Sequence, residues 1–293
     1  MRNLTEDNVT RAVTDSLENT ADPRLKEIMT SLVRHLHDFA RETQLTEEEW
    51  FRGIQFLTRV GHITDDERQE FILLSDTLGL SILVDAMNHR VPEGMTESSV
   101  LGPFYREGAP ELEAGARIDA QTEGEPVVVR GRVTDERGRP LAGALLDVWQ
   151  TAPNGYYESQ DPNQPEFNLR GRFRTDEEGR YWFRTVKPVS YPIPDDGPVG
   201  DMLKATGRHP FRPAHIHFIV SADGYRPVVT QLFTEGDRYL DSDAVFGVKN
   251  SLVIAYRTER SPELAEEYGV SAPFYRVDYD FGLLPASAAG STT

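Results

Sequence analysis

Cysteine is absent from the 293 residues. That removes thiolate nucleophiles, iron–sulfur clusters, thiolate zinc sites and disulfides together. Long apolar runs are missing too: no stretch approaches the roughly 18 residues that a bilayer crossing needs. The opening Met1-Arg2-Asn3-Leu4-Thr5-Glu6-Asp7 lacks the apolar segment of a signal peptide. Positive charge is in short supply: 31 Lys and Arg stand against 48 Asp and Glu, a net charge of −17. Such a surface repels nucleic acid and anionic membranes alike. The expectation is a soluble, cytoplasmic protein with no nucleic-acid or membrane partner. Hydrophobic residues at 38% and charged residues at 27% suffice for a packed core and speak against wholesale disorder.

The first ninety residues predict short amphipathic helices. Asp22 before Pro23 is an N-cap and first-turn pair, followed by Leu25, Ile28, Met29, Leu32, Leu36 and Phe39 at helical spacing. Thr46 and Glu49 form a capping box ahead of Trp50, Ile54 and Leu57, and Thr64 to Glu67 forms another. The second box opens a run carrying Ile72, Leu73, Leu80, Leu83, Val84 and Met87. These apolar faces need cover, from each other or from a partner subunit. Composition changes near Pro92-Glu93-Gly94, which divides a helical region, 1–95, from a β-rich one, 96–293. In the latter, Thr134-Asp135-Glu136-Arg137-Gly138-Arg139 and Thr175-Asp176-Glu177-Glu178-Gly179-Arg180 are one turn chemistry used twice, beside strand-like runs. The fold class is α+β: N-terminal helices plus an antiparallel β-sandwich. The stretches 151–170 and 187–210 are long and rich in Pro, Asn, Asp and Gly, which marks them as functional loops.

Chemistry concentrates in Phe211-Arg212-Pro213-Ala214-His215-Ile216-His217, which runs into Phe218-Ile219-Val220. On a strand, side chains alternate, so His215 and His217 share a face and can share one metal ion. His35 and His37 have the same spacing, but inside a helix they point roughly 200° apart and cannot converge. Two tyrosines sit in constrained backbone upstream: Tyr157, two residues after Gly155, and Tyr191, just before Pro192. A phenol ionises near pH 10, so it ligates at neutral pH only where the metal strongly favours phenolate. Ferric iron does so. Two imidazoles and two phenols thus select Fe(III), whereas Fe(II) enzymes typically take two histidines and a carboxylate.

Several segments resemble one family, the intradiol ring-cleavage dioxygenases. They are Leu73-Leu74-Ser75-Asp76-Thr77-Leu78-Gly79, Glu97-Ser98-Ser99-Val100-Leu101-Gly102-Pro103-Phe104 and Leu146-Asp147-Val148-Trp149-Gln150. They continue with Tyr191 to Pro198, Gly207 to Pro210, Arg212 to His217 and Asp243-Ala244-Val245-Phe246-Gly247, in the family's order and across nearly the whole chain. The resemblance implies one Fe(III) per subunit, with Tyr191 and His215 axial and Tyr157 and His217 equatorial. The family's first tyrosine falls two residues after a glycine, hence Tyr157; adjacent Tyr156 faces the other way in an extended segment.

By the same resemblance, Tyr191 is also a base, Arg212 stabilises negative charge on the substrate ring, and Gln231 is a polar neighbour of the site. Leu73, Asp76, Val100, Leu101, Gly102, Pro103, Ile193, Pro194, Arg212 and Val245 match substrate-pocket segments. Within the family the segments from Leu73 to Asp76 and Asp243 to Gly247 favour the branch acting on hydroxyquinol (benzene-1,2,4-triol) with O2, giving 3-hydroxy-cis,cis-muconate (maleylacetate). The catechol and chlorocatechol branches are the alternatives. The apolar faces of the helices, more than one sandwich edge can cover, predict a homodimer through residues of roughly 20–90, and the family resemblance adds an interface channel for a phospholipid. A remoter likeness, Gly131 to Ala144 against transthyretin-like sandwich modules, implies a non-catalytic binding module and leaves the tyrosines, Arg212 and the histidine pair unexplained.

Overall fold

A computed structural model describes residues 2–65, 68–119 and 122–286 of the chain. It divides into two compact units, Met1–His62 and Ile63–Thr293. The division precedes the helices over 70–88, so these pack within the same unit as the sandwich.

The first unit holds α1 (Val9–Ser16), α2 (Pro23–Glu42) and α3 (Glu47–His62). Asp22 caps α2 by accepting from the amides of Arg24 and Leu25, with Pro23 in the first turn. The Thr46 and Glu49 box is reciprocal: the Glu49 amide donates to Thr46 Oγ1 at 3.3 Å, and the Thr46 amide donates to Glu49 Oε2 at 2.9 Å. His37 has a structural role, its Nδ1 lying 3.0 Å from Thr10 Oγ1. Leu25, Ile28, Leu32, Leu36 and Phe39 on α2, and Trp50, Ile54 and Leu57 on α3, all stay about half exposed in the single chain.

The second unit opens with α4 (Glu70–Thr77) and α5 (Leu80–Asn88). The expected single run breaks at Gly79, which takes the left-handed conformation, φ +74°, that glycine adopts without penalty. Of the second expected capping box, Asp66 and Glu67 lie outside the described residues. No helix among those described is long and apolar enough to cross a membrane.

The strands are β1 (Pro126–Asp135), β2 (Leu145–Trp149), β3 (Arg170–Arg174), β4 (Arg180–Val186), β5 (Tyr191–Pro192), β6 (Phe211–Arg212), β7 (His215–Ser221), β8 (Val228–Thr234), β9 (Val253–Ile254), β10 (Arg257–Glu259), β11 (Phe274–Asp278) and β12 (Phe281–Leu283). One sheet runs β10-β11-β1-β12 with β4 on β1; the other runs β3-β2-β7-β8-β9. Most pairs are antiparallel, but β1 pairs in parallel with β11 and β12, and β8 with β9. The repeated turn chemistry is visible atom by atom. Asp135 Oδ1 accepts from the amides of Arg137 and Arg139, and Asp176 Oδ1 from those of Glu178 and Arg180. Each turn carries the chain from one sheet toward the other, so they are corners of the sandwich and not hairpins within a sheet.

Parity decides what faces where. Leu146 and Val148 of β2, Ile216, Phe218 and Val220 of β7, and Leu232 of β8 enter the core with Val127, Val129, Phe183 and Phe281 of the other sheet. Each such side chain contributes roughly 1.5–3 kcal/mol by leaving water. The intervening positions, His215 and His217 among them, point to the opposite face of their sheet. That face is buried as well, because loops cover it. A separate cluster of Trp149, Tyr157 and Tyr191, with Phe104 and Tyr105, lies there. The 187–210 stretch is more ordered than its composition suggests: it contains β5 and a further helix, α6 (Pro198–Ala205). Buried Glu70 of α4 holds that helix, accepting from the Val199 amide at 3.1 Å while Arg68 bridges Glu70 and Asp196.

Candidate metal centre

Two devices bring the tyrosines to the histidines. The Ala152–Gly155 turn, closed by a 2.8 Å bond from the Gly155 amide to the Ala152 carbonyl, precedes Tyr157, whose amide donates to Gln160 Oε1. Gly155 has φ +84°, and a Cβ there would lie 3.5 Å from Tyr191 Cβ. Tyr191 is held by the two-stranded ladder of β5 and β6, in register with Arg212. The outcome separates the adjacent tyrosines cleanly: Tyr157 is 1% exposed and Tyr156 53%.

Donor atoms converge here. Tyr157 Oη and Tyr191 Oη are 3.3 Å apart, and the Nε2 atoms of His215 and His217 are 3.0 Å apart. All four side chains are buried. His215 Nδ1 lies 2.7 Å from the Pro213 carbonyl. A carbonyl only accepts, so Nδ1 carries the proton and Nε2 presents its lone pair to the centre. Burial first, then the Arg212 charge, lowers the His215 pKa to about 3. Burial and His215 hold His217 well below its ordinary value. Both imidazoles are therefore neutral, the form that binds metals. Burial, reinforced by Tyr191, holds the Tyr157 phenol well above its ordinary value. Tyr191 is raised by burial as well, with Arg212 pulling against the rise. Two neutral imidazoles whose Nε2 atoms lie this close, beside two phenols that shed protons only to a strong cation, fit a shared metal ion. No cluster of three His, Cys, Asp or Glu able to hold a metal occurs among the described residues, so an ion held here would need the phenols as donors.

A buried electrostatic frame surrounds the donors. Arg212 Nε and Nη2 donate to the two Asp243 oxygens at 3.0 and 3.1 Å, Nη2 also to Gln231 Oε1 at 2.7 Å, and Nη1 lies 3.3 Å from His215 Nε2. Burial alone would lower the Arg212 pKa, but Asp243 outweighs it and the guanidinium stays charged. Gln231 Nε2 in turn donates to the Val100 carbonyl. Gly102, φ +77°, passes over His217: a Cβ there would lie 3.3 Å from His217 Cε1. Val245 joins through its amide on Asp243 Oδ1, and Ile193 through its amide on the Pro210 carbonyl beside the β5–β6 ladder. Asp76 is 3% exposed, so it is no solvated helix residue. Burial raises its pKa, with the Ser81 hydroxyl and Arg212 pulling partly back. Leu73 is buried, Pro103 and Pro194 are half-buried, and Leu101 is exposed.

Several partners were not legible in the sequence. Asp243 was visible as part of a segment, but not as the counter-charge of Arg212. Trp149 stacks on His217 with centroids 4.6 Å apart and planes 8° apart, and Phe104 stacks on Tyr157 at 4.6 Å. Trp149 reaches His217 through strand register and Phe104 reaches Tyr157 through loop closure, neither of which local periodicity carries.

Comparison with known proteins matches this arrangement to a family. Residues 100–284 match the family model described as Dioxygenase, and 22–96 the one described as Catechol dioxygenase N terminus. The chain is 51% identical over 280 residues to a hydroxyquinol 1,2-dioxygenase of Rhizobium sp. (strain MTP-10005), covering 95% of each. It is 51% identical over 285 residues to a 6-chlorohydroxyquinol 1,2-dioxygenase of Cupriavidus pinatubonensis, covering 97% of this chain and 99% of that one. Among solved structures, hydroxyquinol 1,2-dioxygenase from Pseudomonas putida DLL-E4 superposes with a TM-score of 0.90 at 52% identity, covering 96% of this chain and 98% of the other. Likeness of that degree along nearly the whole length leaves one assignment: this chain belongs to the intradiol ring-cleavage dioxygenases, enzymes known for non-haem iron.

Proposed function

We propose that the protein is a hydroxyquinol 1,2-dioxygenase, opening benzene-1,2,4-triol with O2 between its two adjacent hydroxyl-bearing carbons to give 3-hydroxy-cis,cis-muconate (maleylacetate). The observation that carries this is the buried convergence of Tyr157, Tyr191, His215 and His217, in a chain half identical to proteins of that name. These four would hold one Fe(III) per subunit. Bound there, ferric iron would supply a Lewis acid that draws electron density from a chelated aromatic diolate, opening the ring to O2.

The chain's own residues have separate tasks. Tyr191 Oη, as the phenolate that the ion would hold, would be the base for a substrate hydroxyl proton, since burial raises its pKa and so favours its taking that proton back. Arg212, fixed by Asp243 and Gln231, faces negative charge developing on the ring from a dry site, where a cation acts most strongly. Val100, Leu101, Gly102, Pro103, Ile193, Pro194, Leu73 and Val245 shape the pocket, and Asp76 accepts a hydrogen bond from the third hydroxyl. The half-exposed apolar residues of α2 and α3 support a homodimer, and the family resemblance adds a phospholipid channel at its interface. A monomer in sedimentation at micromolar concentration would count against that interface.

Purified protein should be burgundy from tyrosinate-to-iron charge transfer, and should turn over the triol faster than catechol or 4-chlorocatechol. A colourless, iron-free protein would defeat the metal assignment, and a preference for catechol would defeat the substrate assignment alone.

A further inference from the structure

Strand pairing lines up one transverse row of side chains behind the centre. Arg170 opens β3 opposite Trp149 of β2, Trp149 is opposite His217 of β7, and His217 is opposite Gln231 of β8. Residues directly opposite in an antiparallel ladder project from the same face, so all four belong to the surface that carries the site. All four are buried, none more than 2% exposed. Arg170 is thus a second buried arginine at the centre, and nothing derived above uses it.

Its surroundings are specific. The guanidinium carbon lies 5.7 Å from the centroid of the Tyr157 ring, within cation–π range. Arg170 Nε donates to Glu158 Oε2 at 2.7 Å, and Glu158 Oε1 accepts from Arg106 Nη1 at 2.8 Å. Glu158 directly follows Tyr157 and begins the short 3-10 turn over Glu158–Gln160. The clamp therefore grips the backbone that aims the phenol. Arg106 is partly exposed and also meets Glu166 at 3.6 Å, which leaves Arg170 as the fully buried cation of the cluster, beside the ring. Arg170 Nη2 is buried without a hydrogen-bond partner, so part of the guanidinium is not neutralised by any contact. Arg212 serves Tyr191 by register and His215 by contact. Arg170 stands in the same relation to Tyr157 by contact and His217 by row.

We propose that Arg170 is a positioning residue for Tyr157: held by Glu158, it fixes the phenolate and lowers the electron density that phenolate gives to the metal. The inference rests on the metal assignment above. Its physical basis is that a cation near an aromatic face stabilises the anionic phenolate more than any neutral state. Removing the cation makes the phenolate a stronger donor and lowers the charge-transfer energy. Removing the opposing carboxylate does the reverse.

The test is the visible charge-transfer band of iron-loaded protein at matched iron content. Arg170→Met should move it to longer wavelength, and Glu158→Gln to shorter wavelength. Arg170→Lys, which keeps the charge, should leave it near the wild-type position. Opposite shifts from two variants that both break the same ion pair are not what loss of a structural strut produces. If Arg170→Met does not fold, Glu158→Gln and Arg170→Lys decide the matter. Unmoved bands, or shifts of the same sign in Arg170→Met and Glu158→Gln, would overturn the proposal while the wild-type colour upholds the metal assignment. A colourless wild-type protein would overturn both.

Discussion

Replacing Asp243 by Asn tests how Arg212 is kept in place. The two side chains are both almost fully buried, at 2% and 3% exposure, and meet through two hydrogen bonds. Asparagine keeps the shape but removes the counter-charge, leaving a guanidinium in low-dielectric surroundings beside two neutral imidazoles. Breaking a buried pair from one side costs about 3–5 kcal/mol. At about 2–4 °C per kcal/mol for a unit of this size, the melting temperature should fall by about 6–20 °C. The Asn side chain also turns a donor toward the Gly247 amide, which donates to Asp243 Oδ2 at 2.9 Å, so the upper part of that range is the better expectation.

A double-mutant cycle isolates the pair: Arg212→Met with Asp243→Asn should be less destabilised than the two single losses summed, because no unpaired charge is left behind. The pH dependence has a defined sign. Burial pushes the Asp243 carboxyl up, but the Arg212 charge and hydrogen bonds outweigh it, so its folded pKa lies below the ordinary value. Its contribution is complete above the unfolded value of about 3.9 and is lost as pH falls through the lower folded value. Wild type should therefore keep its margin over Asp243→Asn down to about pH 4 and lose it only below. Thermal melts of both proteins across pH measure this. A variant melting within about 2 °C of wild type at neutral pH would refute the reasoning, since that is less than 1 kcal/mol on the same scale.

Tyr157→Phe should remove much of the visible band and Tyr156→Phe should leave it, as measured by absorbance of iron-loaded protein; the reverse would exchange the two tyrosines' roles. Asp76→Leu should lower kcat/KM for the triol by about ten- to a hundredfold, the worth of a charged hydrogen bond of roughly 1.5–3 kcal/mol, while sparing catechol. Equal losses on both substrates would show that Asp76 supports the fold and not the third hydroxyl. Gly102→Ala combines left-handed strain of about 1–2 kcal/mol with pressure on the His217 ring and should lose bound iron. Gly138→Ala has comparable strain, φ +73°, with open space around it, and should lose stability but keep iron; equal iron contents would sink the claim about His217.

Local order was legible wherever one short segment carries its own physics. Asp22 with Pro23, and Thr46 with Glu49, cap helices because donor and acceptor are three residues apart or fewer. Alternation along His215 to Val220 determined that the histidines share a face, and the structure turns the intervening Ile216 and Phe218 into the core. The paired Asp–Gly turns specified corners of a β domain, though not that each corner changes sheets. What local pattern cannot carry is which distant residues become neighbours. Gly79 looked like one residue of a continuous helical run, and only its left-handed backbone breaks the run in two. The choice between Tyr156 and Tyr157 depends on which side of a loop meets the β5–β6 ladder, a contact closed across 34 residues. Asp243 reaches Arg212 across 31 residues, and Arg170 reaches the back of the site through the register of three strands. The sequence by itself determined the donor types, the strand parity and the caps, because those follow from bond geometry over a few residues. Only the tertiary structure decided the charges that surround the donors, because register and loop closure are long-range and the energies that select them belong to the packed whole.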